Sequence, residues 1–352
     1  MKLKYLILSI MSFIYSECNS YEVELWGLCY SIENTTAIQY LDHTSGIIPE
    51  DICLLTNLEI LNLTIIWGNS NFVTGEIPDC IGELENLTYL DLSWNQLYGE
   101  IPESIGNLTN LNHLNLLSNQ FYGEIPESIG NLVNLTKLNL GYNMFSGELP
   151  EGIGNLTHLT EFYITSNQFY GSLPQSIGNL SNLIMLSIYE NQLSGEIPES
   201  IGNLTQLVSL NAGYNFLEGS IPSSIGNLIN LERLWLNNNQ LSGHVPLNIC
   251  NLTNLNWAPY GFDGDASYLC FNQLCPPYPE CIIDEIGQQD ITGCEEINLG
   301  DTNYDGIYDV LDVVTLIDII LNSTYHEIAD LNEDQIINVQ DVVLLLNLIL
   351  NN

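Results

Sequence analysis

From Leu87 onward the chain repeats itself every 24 residues. The pattern LxxLxLxxNxLxGxIPxxIGNLxN starts again at Leu111, Leu135, Leu159, Leu183, Leu207 and Leu231. A longer unit begins at Leu58, with extra residues around "WGNSN". A truncated one lies around Ile38–Leu55, and a last strand start appears at Leu255. A period of this length restricts the chain to an array. One unit cannot bury its apolar residues alone, so neighbours must stack and the two ends must be capped. The alternation in "LTYLDLS" places Leu87, Leu90 and Leu92 inward and Tyr89, Asp91 and Ser93 outward, which is a short strand. An Asn recurs at Asn95, Asn119, Asn143, Asn167, Asn191, Asn215 and Asn239, where a buried amide can bond the backbone of an adjacent coil. Gly99 permits a tight bend, and "IPESIGNL" returns along the outer side. The expected fold class is an α/β repeat solenoid with a parallel β-sheet on its concave face.

Charge narrows the partners. The chain has 43 acidic residues against 4 basic ones, a formal charge of −39. Phosphates want Lys and Arg, so nucleic acid is excluded as a partner, and so are anionic membrane surfaces. The start, "MKLKYLILSIMSFIYSECNS", has two Lys, a short apolar run and then small residues. It reads as a secretory signal peptide over residues 1–18. Eleven apolar residues are too few to span a bilayer, and no later stretch is long enough, so no membrane insertion is expected. The location implied is secreted, extracellular or cell surface. Nine cysteines in an exported chain should mostly pair. Cleavage after Cys18 leaves an even set and cleavage after Ser16 an odd one; the pairing stays open. Of ten Asn-x-Ser/Thr sequons, those in "GNLT" are read as repeat consensus.

The stretch "GEIPESIGNLTNLNHLNLLSNQF" resembles the plant-type leucine-rich repeat subfamily, found in extracellular receptor and inhibitor ectodomains and in some secreted microbial proteins. The resemblance covers roughly residues 22–256 and implies a right-handed leucine-rich repeat superhelix. "ELWGLCYSIENTTAIQYLD" is similar to that family's N-terminal cap, with Trp26 and Cys29 in place, but is shorter. The implied organisation is a cap and truncated repeat at 19–57, repeats at 58–256 and a cysteine-rich C-terminal cap at 257–296. Such solenoids bind through exposed strand positions of the concave face. Here those positions present Tyr89, Trp94, His113, Lys137, Tyr142, Tyr163, Tyr189, Tyr214, Arg233 and Trp235. These side chains suit a protein or glycan ligand. Lys137 and Arg233, the only basic residues after the leader, fall four coils apart, roughly 19 Å at about 4.8 Å per strand. Glu100, Glu124, Glu148 and Glu196 form another stripe, read as a solvated consensus face. No GxSxG or HExxH occurs and no carboxylate pair is singled out, so the chain is expected not to be an enzyme.

The tail obeys a different rule. "GDTNYDGIYDVLD" has oxygen-bearing side chains at Asp301, Asn303 and Asp305, then Gly306, with Asp309 and Asp312 following. That is the rhythm of a loop wrapping a hard cation, with the carbonyl of Ile307 at the seventh place. Twenty-nine residues on, Asp330, Asn332, Asp334, Ile336, Asn338 and Asp341 repeat it. Each loop opens an apolar helix. The pair resembles the dockerin type I module over about residues 297–352, which implies a small all-α, EF-hand-like fold, two Ca2+ ions and a cohesin-like docking partner. Gln335 stands at the sixth place of the second loop, where a positive φ is usually wanted, so weaker binding is expected there. Val310/Leu311 and Val339/Gln340 occupy the partner-selecting places instead of the familiar Ser/Thr pair. The function expected is a secreted, non-enzymatic recognition or adhesion protein docked through this module. The runner-up is an accessory carbohydrate-binding or inhibitory component of an extracellular polysaccharide-degrading assembly.

Overall fold

The computed structural model describes residues 18–39, 45–64, 72–258, 266–294, 299–303, 307–322, 327–332 and 334–351. The leader up to residue 17 and the loop residues Asp305 and Gly306 lie outside them.

Each coil opens with a three-residue strand. Among the described residues nine of these pair in parallel and in chain order, from Ala37–Gln39 to Arg233–Trp235. Register follows the repeat, so Lys137 lies between His113 and Glu161. Leu87, Leu90 and Leu92 are wholly buried, as are their counterparts along the array, each contributing about 1.5–3 kcal/mol relative to exposure. Asp91 and Ser93 do not face solvent as their alternation suggests; both are buried. Their polar atoms bond each other and a neighbouring coil: Ser93 Oγ donates to Asp91 Oδ1 at 2.6 Å and Asn115 Nδ2 to Asp91 Oδ2 at 2.9 Å.

The recurring Asn acts as expected. Asn143 Oδ1 accepts from the N–H of Phe121 at 3.1 Å, while its Nδ2 donates to the carbonyls of Leu116, Leu140 and Gly141 at 2.9–3.1 Å. A single side chain thus ties two coils.

A second parallel sheet, ten strands among the described residues, follows the Asn turn and includes Gln96–Gly99, Gln120–Gly123 and Met144–Gly147. The sequence reading treated this stretch as a bend. Four residues with one buried Leu or Phe give too short an alternation to register as a strand. Its inner side carries a stacked spine, Phe121 on Phe145 and Phe145 on Phe169, with ring centroids 5.9 and 6.2 Å apart.

The return segment is a short 3-10 helix, such as Glu103–Asn107, entered through Pro102 at φ −66°. Pro presets that angle and surrenders no needed N–H. In "IGNL" the glycine is a spacing requirement: a Cβ on Gly106 would sit 2.5 Å from the carbonyl oxygen of Ser128 on the next coil.

Both ends are stapled. An antiparallel hairpin, β1 (Glu22–Leu25) and β2 (Leu28–Ser31), covers the first coil. Disulfides join Cys18 to Cys29, Cys53 to Cys80, Cys250 to Cys281 and Cys275 to Cys294, leaving Cys270 reduced and buried. Cys18, placed in the leader by the expected boundary, therefore belongs to the folded cap. The C-terminal cap is itself a disguised coil. Gln273–Cys275 extends the ten-stranded sheet, and Asn272 continues the ladder by accepting from Leu241 N–H at 3.1 Å and donating to the Leu236 carbonyl at 2.9 Å.

The tail forms two helices, α1 (Val310–Asn322) and α2 (Val339–Asn351), packed through Val313, Leu316, Ile319, Ala329 and Leu345. Leu247, from the last 3-10 helix of the solenoid, packs against this small core.

Candidate functional site

Strand positions of the nine-stranded sheet bring most of the expected binding residues onto one face. At its N-terminal end the rings of Tyr89 and His113 stack. Next, Lys137 Nζ lies 2.9 Å from Glu161 Oε2 and 5.9 Å from the ring centre of Tyr163. Burial, reinforced by the charge and hydrogen bond of Glu161, pushes the Tyr163 hydroxyl up to about 12 against a smaller opposing effect of Arg233. Tyr163 thus stays a neutral donor in any ordinary buffer. Tyr189 meets Tyr214 edge to face, centroids 5.3 Å apart.

Trp235 departs from this display. Its Nε1–H donates to the carbonyl of Ala266 at 2.6 Å, and its ring packs on Ala266, Tyr268 and Cys270 of the cap. The indole is a structural anchor there. Lys137 and Arg233 stay on the same face, Lys137 engaged by Glu161 of the next strand.

The eighth strand position has a backbone feature that sequence reading missed. Trp94, Tyr142 and Tyr214 sit at φ +58°, +53° and +55°, in the left-handed region. Non-glycine residues pay roughly 1–2 kcal/mol there. Burial does not repay that cost, because the three side chains are 56, 58 and 49 % exposed. The other coils place Ser118, Ser166, Glu190 and Asn238 in the same conformation. The alternation of small and aromatic residues at that position was the only signal available in the sequence.

In the tail, the first and last carboxylates of each loop are buried, with Asp312 and Asp341 fully so and Asp301 and Asp330 nearly so. Asp312 accepts from the N–H groups of Asn303 and Asp309 at 3.2 and 3.0 Å. Asp341 does the same with Asn332 and Asn338 at 3.4 and 2.8 Å. Asp330 also accepts from Asp334 and Gln335 N–H at 3.0 and 2.7 Å. These bonds curl each loop around its acidic ends. Gln335 has φ +68°, the angle expected of the sixth place. Ile307 and Ile336 carry exposed side chains at the seventh places, which leaves their backbone carbonyls as the groups of interest. Among the described residues no three His, Cys, Asp or Glu side chains converge on one point. In the second loop the side chains are closed on each other, with Asn332 Nδ2 donating to Asp334 Oδ2 at 3.0 Å and Asn338 Nδ2 to the Ile336 carbonyl at 3.1 Å. The residue types still fit a calcium loop. Four buried carboxylates occur in a segment that has no Lys or Arg after Arg233, so a cation is the charge complement the chain itself lacks.

A family model described as "Leucine-rich repeat region" matches residues 58–169 and 163–267. The chain belongs to this leucine-rich repeat family. Its repeats are similar to those of the plant peptide hormone receptor RGFR1, solved in complex with RGF2, at 38 % identity and TM-score 0.59, covering 65 % of this chain and 35 % of that one. They are also similar to the Arabidopsis receptor kinase HAESA, solved with the peptide hormone IDA and the co-receptor SERK1, at 35 % identity and TM-score 0.62, covering 73 % of this chain and 43 % of that one. The chain therefore spans less than half the length of either receptor. A plant ice-binding protein is similar at 27 % identity and TM-score 0.55, with 75 % of this chain and 77 % of that one covered. No curated protein matches the chain. As in other leucine-rich repeat chains, the repeat array defines the fold, and among the described residues no helix is long and apolar enough to cross a membrane.

Proposed function

We propose that this leucine-rich repeat protein is an extracellular, non-enzymatic recognition module that binds a peptide or glycan along its nine-stranded sheet. The observation that carries this is the set of exposed aromatics, Trp94, Tyr142 and Tyr214, held in a left-handed backbone conformation. The angle is common to the coils from Trp94 to Asn238, so what sets these three positions apart is a large ring left about half exposed where the other coils carry Ser, Glu or Asn. The receptors to which the repeats are similar are solved with peptide hormones or their co-receptors, which favours a peptide ligand. Four disulfides suit an oxidising exterior.

In this reading the tail binds two Ca2+ ions and docks the solenoid to a cohesin-like partner. Its support is the duplicated loop geometry and a duplicated apolar stripe. Val310, Val314, Ile317 and Leu321 on α1 recur 29 residues later as Val339, Val343, Leu346 and Leu350 on α2, all of them exposed.

The test is an array of extracellular peptides and glycans probed with the full chain, followed by titration of any hit against Trp94→Ser, Tyr142→Ser and Tyr214→Ser. Serine already occupies this backbone position at Ser118 and Ser166. A loss of tenfold or more in affinity, with the unfolding midpoint unchanged, is the expected outcome. A triple variant that binds as tightly as the parent sinks the reading. Hits confined to plant or microbial polysaccharides would favour the runner-up, an accessory component of a polysaccharide-degrading assembly.

One further observation favours a second reading. Thr157, Ser181 and Thr205 form an exposed row one residue past the "GNL" of three successive coils, with Thr109 and Thr253 further out beyond the exposed Val133 and Ile229, and the plant ice-binding protein is similar over most of both chains. An evenly spaced hydroxyl row can order water against ice. Thermal hysteresis above that of albumin at equal concentration would support it, and its absence removes it.

A further inference from the structure

On the outward side of the ten-stranded sheet stand Tyr98, Tyr122 and Tyr170, which are 46, 45 and 48 % exposed. Strands of this sheet pair with an offset of 22 residues, Tyr98 opposite Gln120 and Tyr122 opposite Met144. The same offset sets Glu76 beside Tyr98, Glu100 beside Tyr122 and Glu148 beside Tyr170. The glutamate stems lie in fixed places. Glu100 Cγ occupies the space a Cβ on Gly123 would need, at 2.8 Å, and Glu148 Cγ does so at Gly171, also at 2.8 Å. The register therefore sets a glutamate of the preceding coil beside each tyrosine position, with its stem over the glycine that follows the tyrosine.

A second acidic rank runs parallel to the first on the 3-10 helices, beginning with Asp79 and Glu103. The two ranks bound a groove of about 1420 Å³ that extends from Glu76 to Pro174 and has Tyr122 and Tyr170 in its wall. Ser104 Oγ lies in that lining, shielded from water and without a hydrogen-bond partner among the described residues. Its counterparts Ser128, Ser176, Ser200 and Ser224 all donate to a carbonyl of the preceding coil. At the far end of the groove Ser172 and Gln175 interrupt the two ranks, which resume one coil later at Glu196 and Glu199.

We propose that this groove binds a linear polysaccharide of protonated amino sugars. Sugar rings stack on exposed tyrosines, and an ammonium beside a ring and a carboxylate gains from both. Two ranks of carboxylates with no basic residue in the lining select a cationic chain over a neutral or anionic one. Period decides between a glycan and a peptide. Successive coils repeat at about 4.8 Å, whereas same-face side chains of an extended peptide recur at about 6.6 Å and drift out of step within two coils. A linear glycan that advances about one sugar per coil stays in step. The acidic stretch runs over four coils, roughly 14 Å from first to last at about 4.8 Å per strand, enough for a short oligomer. This surface is separate from the nine-stranded sheet, so it stands whether or not a ligand binds there.

The test is calorimetric titration of the full chain with a glucosamine hexamer at a pH where its amines are protonated, alongside the fully N-acetylated hexamer and hexalysine. The glucosamine hexamer should bind. Tyr122→Ala, Tyr170→Ala, Glu100→Gln and Glu148→Gln should each weaken it at least threefold, and the Tyr122/Tyr170 pair at least tenfold, with no change in unfolding midpoint. Three results would overturn the proposal: no binding of the glucosamine hexamer, equal binding of the acetylated hexamer, or hexalysine binding as tightly with the tyrosine variants indifferent. The last would reduce the surface to nonspecific polyelectrolyte attraction.

Discussion

The rings of Tyr89 and His113 stack across adjacent strands, centroids 4.1 Å apart and 10° from parallel, and His113 Nε2 lies 3.7 Å from Asp91 Oδ2. At that distance the contact is too long for a hydrogen bond. Burial alone would raise the Asp91 carboxyl, but His113, Ser93 and Asn115 outweigh it and hold the group well below the usual carboxylate range. Its folded value is therefore lower than its unfolded one. The stabilisation is complete above the unfolded value of about 3.9 and is lost as pH falls through the folded value. Asp91→Ala leaves the donors of Ser93 and Asn115 without their acceptor and should cost about 1–3 kcal/mol at neutral pH. Urea unfolding across the acid range checks this: the gap between variant and parent should narrow as the parent carboxylate protonates. A gap independent of pH would show that the charge contributes nothing.

The Asn ladder predicts a larger local penalty than its surface-like composition suggests. Asn143→Ala removes the side-chain acceptor of the Phe121 N–H and one of the two side-chain donors to the Leu116 carbonyl, Asn119 being the other, in a part-buried site, at about 1–3 kcal/mol. Asn143→Asp keeps the acceptor but loses every donated bond, so it should be at least as damaging. Chemical denaturation of the two variants decides between ladder bonding and simple volume. If Ala costs less than about 0.5 kcal/mol, the ladder is decoration.

Array proteins open from their ends. The Cys53–Cys80 bridge joins the 3-10 helices of the first two coils and closes a separation of 27 residues. Replacing both cysteines by Ser should cost about 2–4 kcal/mol. Hydrogen exchange should show where. Amides of Ile60–Asn62 should lose protection well before those of Lys137–Asn139. Uniform loss along the whole array would mean that the solenoid unfolds as one cooperative block.

Period and alternation made the array, its strand positions and the Asn ladder legible, because each coil imposes the same constraint and errors average out over seven copies. What failed to show were features that need a neighbour. Asp91 reads as solvent-facing until Asn115 of the next coil is placed against it. Gln96–Gly99 is too short to read as a strand alone and becomes one only between Val73–Gly75 and Gln120–Gly123. The cap coil is hidden because Leu269, Asn272 and Leu274 keep the repeat spacing while the surrounding consensus is lost. Strain at Trp94, Tyr142 and Tyr214 is a backbone property with no hydrophobic pattern to announce it. In the tail the positive φ of Gln335 was readable from its sixth place in the loop pattern.

That last residue gives the sharpest prediction for the tail. Glutamine at φ +68° carries a steric cost of roughly 1–2 kcal/mol that glycine would not. The N–H of Gln335 donates to Asp330 Oδ2 at 2.7 Å, so the strained angle is part of the closed loop itself. If the loop opens when metal leaves, Gln335→Gly removes that cost only from the bound state. Calcium affinity of the second loop should then rise about fivefold or more, with the first loop unchanged. Titration of the full chain followed by calorimetry should resolve two sites in the parent, the weaker one moving in the variant. Asp341→Asn, which discards a fully buried carboxylate of the same loop, should abolish one site and leave the other. Because the ligands bind as carboxylates, lowering the pH should weaken both sites. Heat at any calcium concentration up to the millimolar range that shows no binding in the parent would remove calcium, and with it the docking role, from the account of this chain.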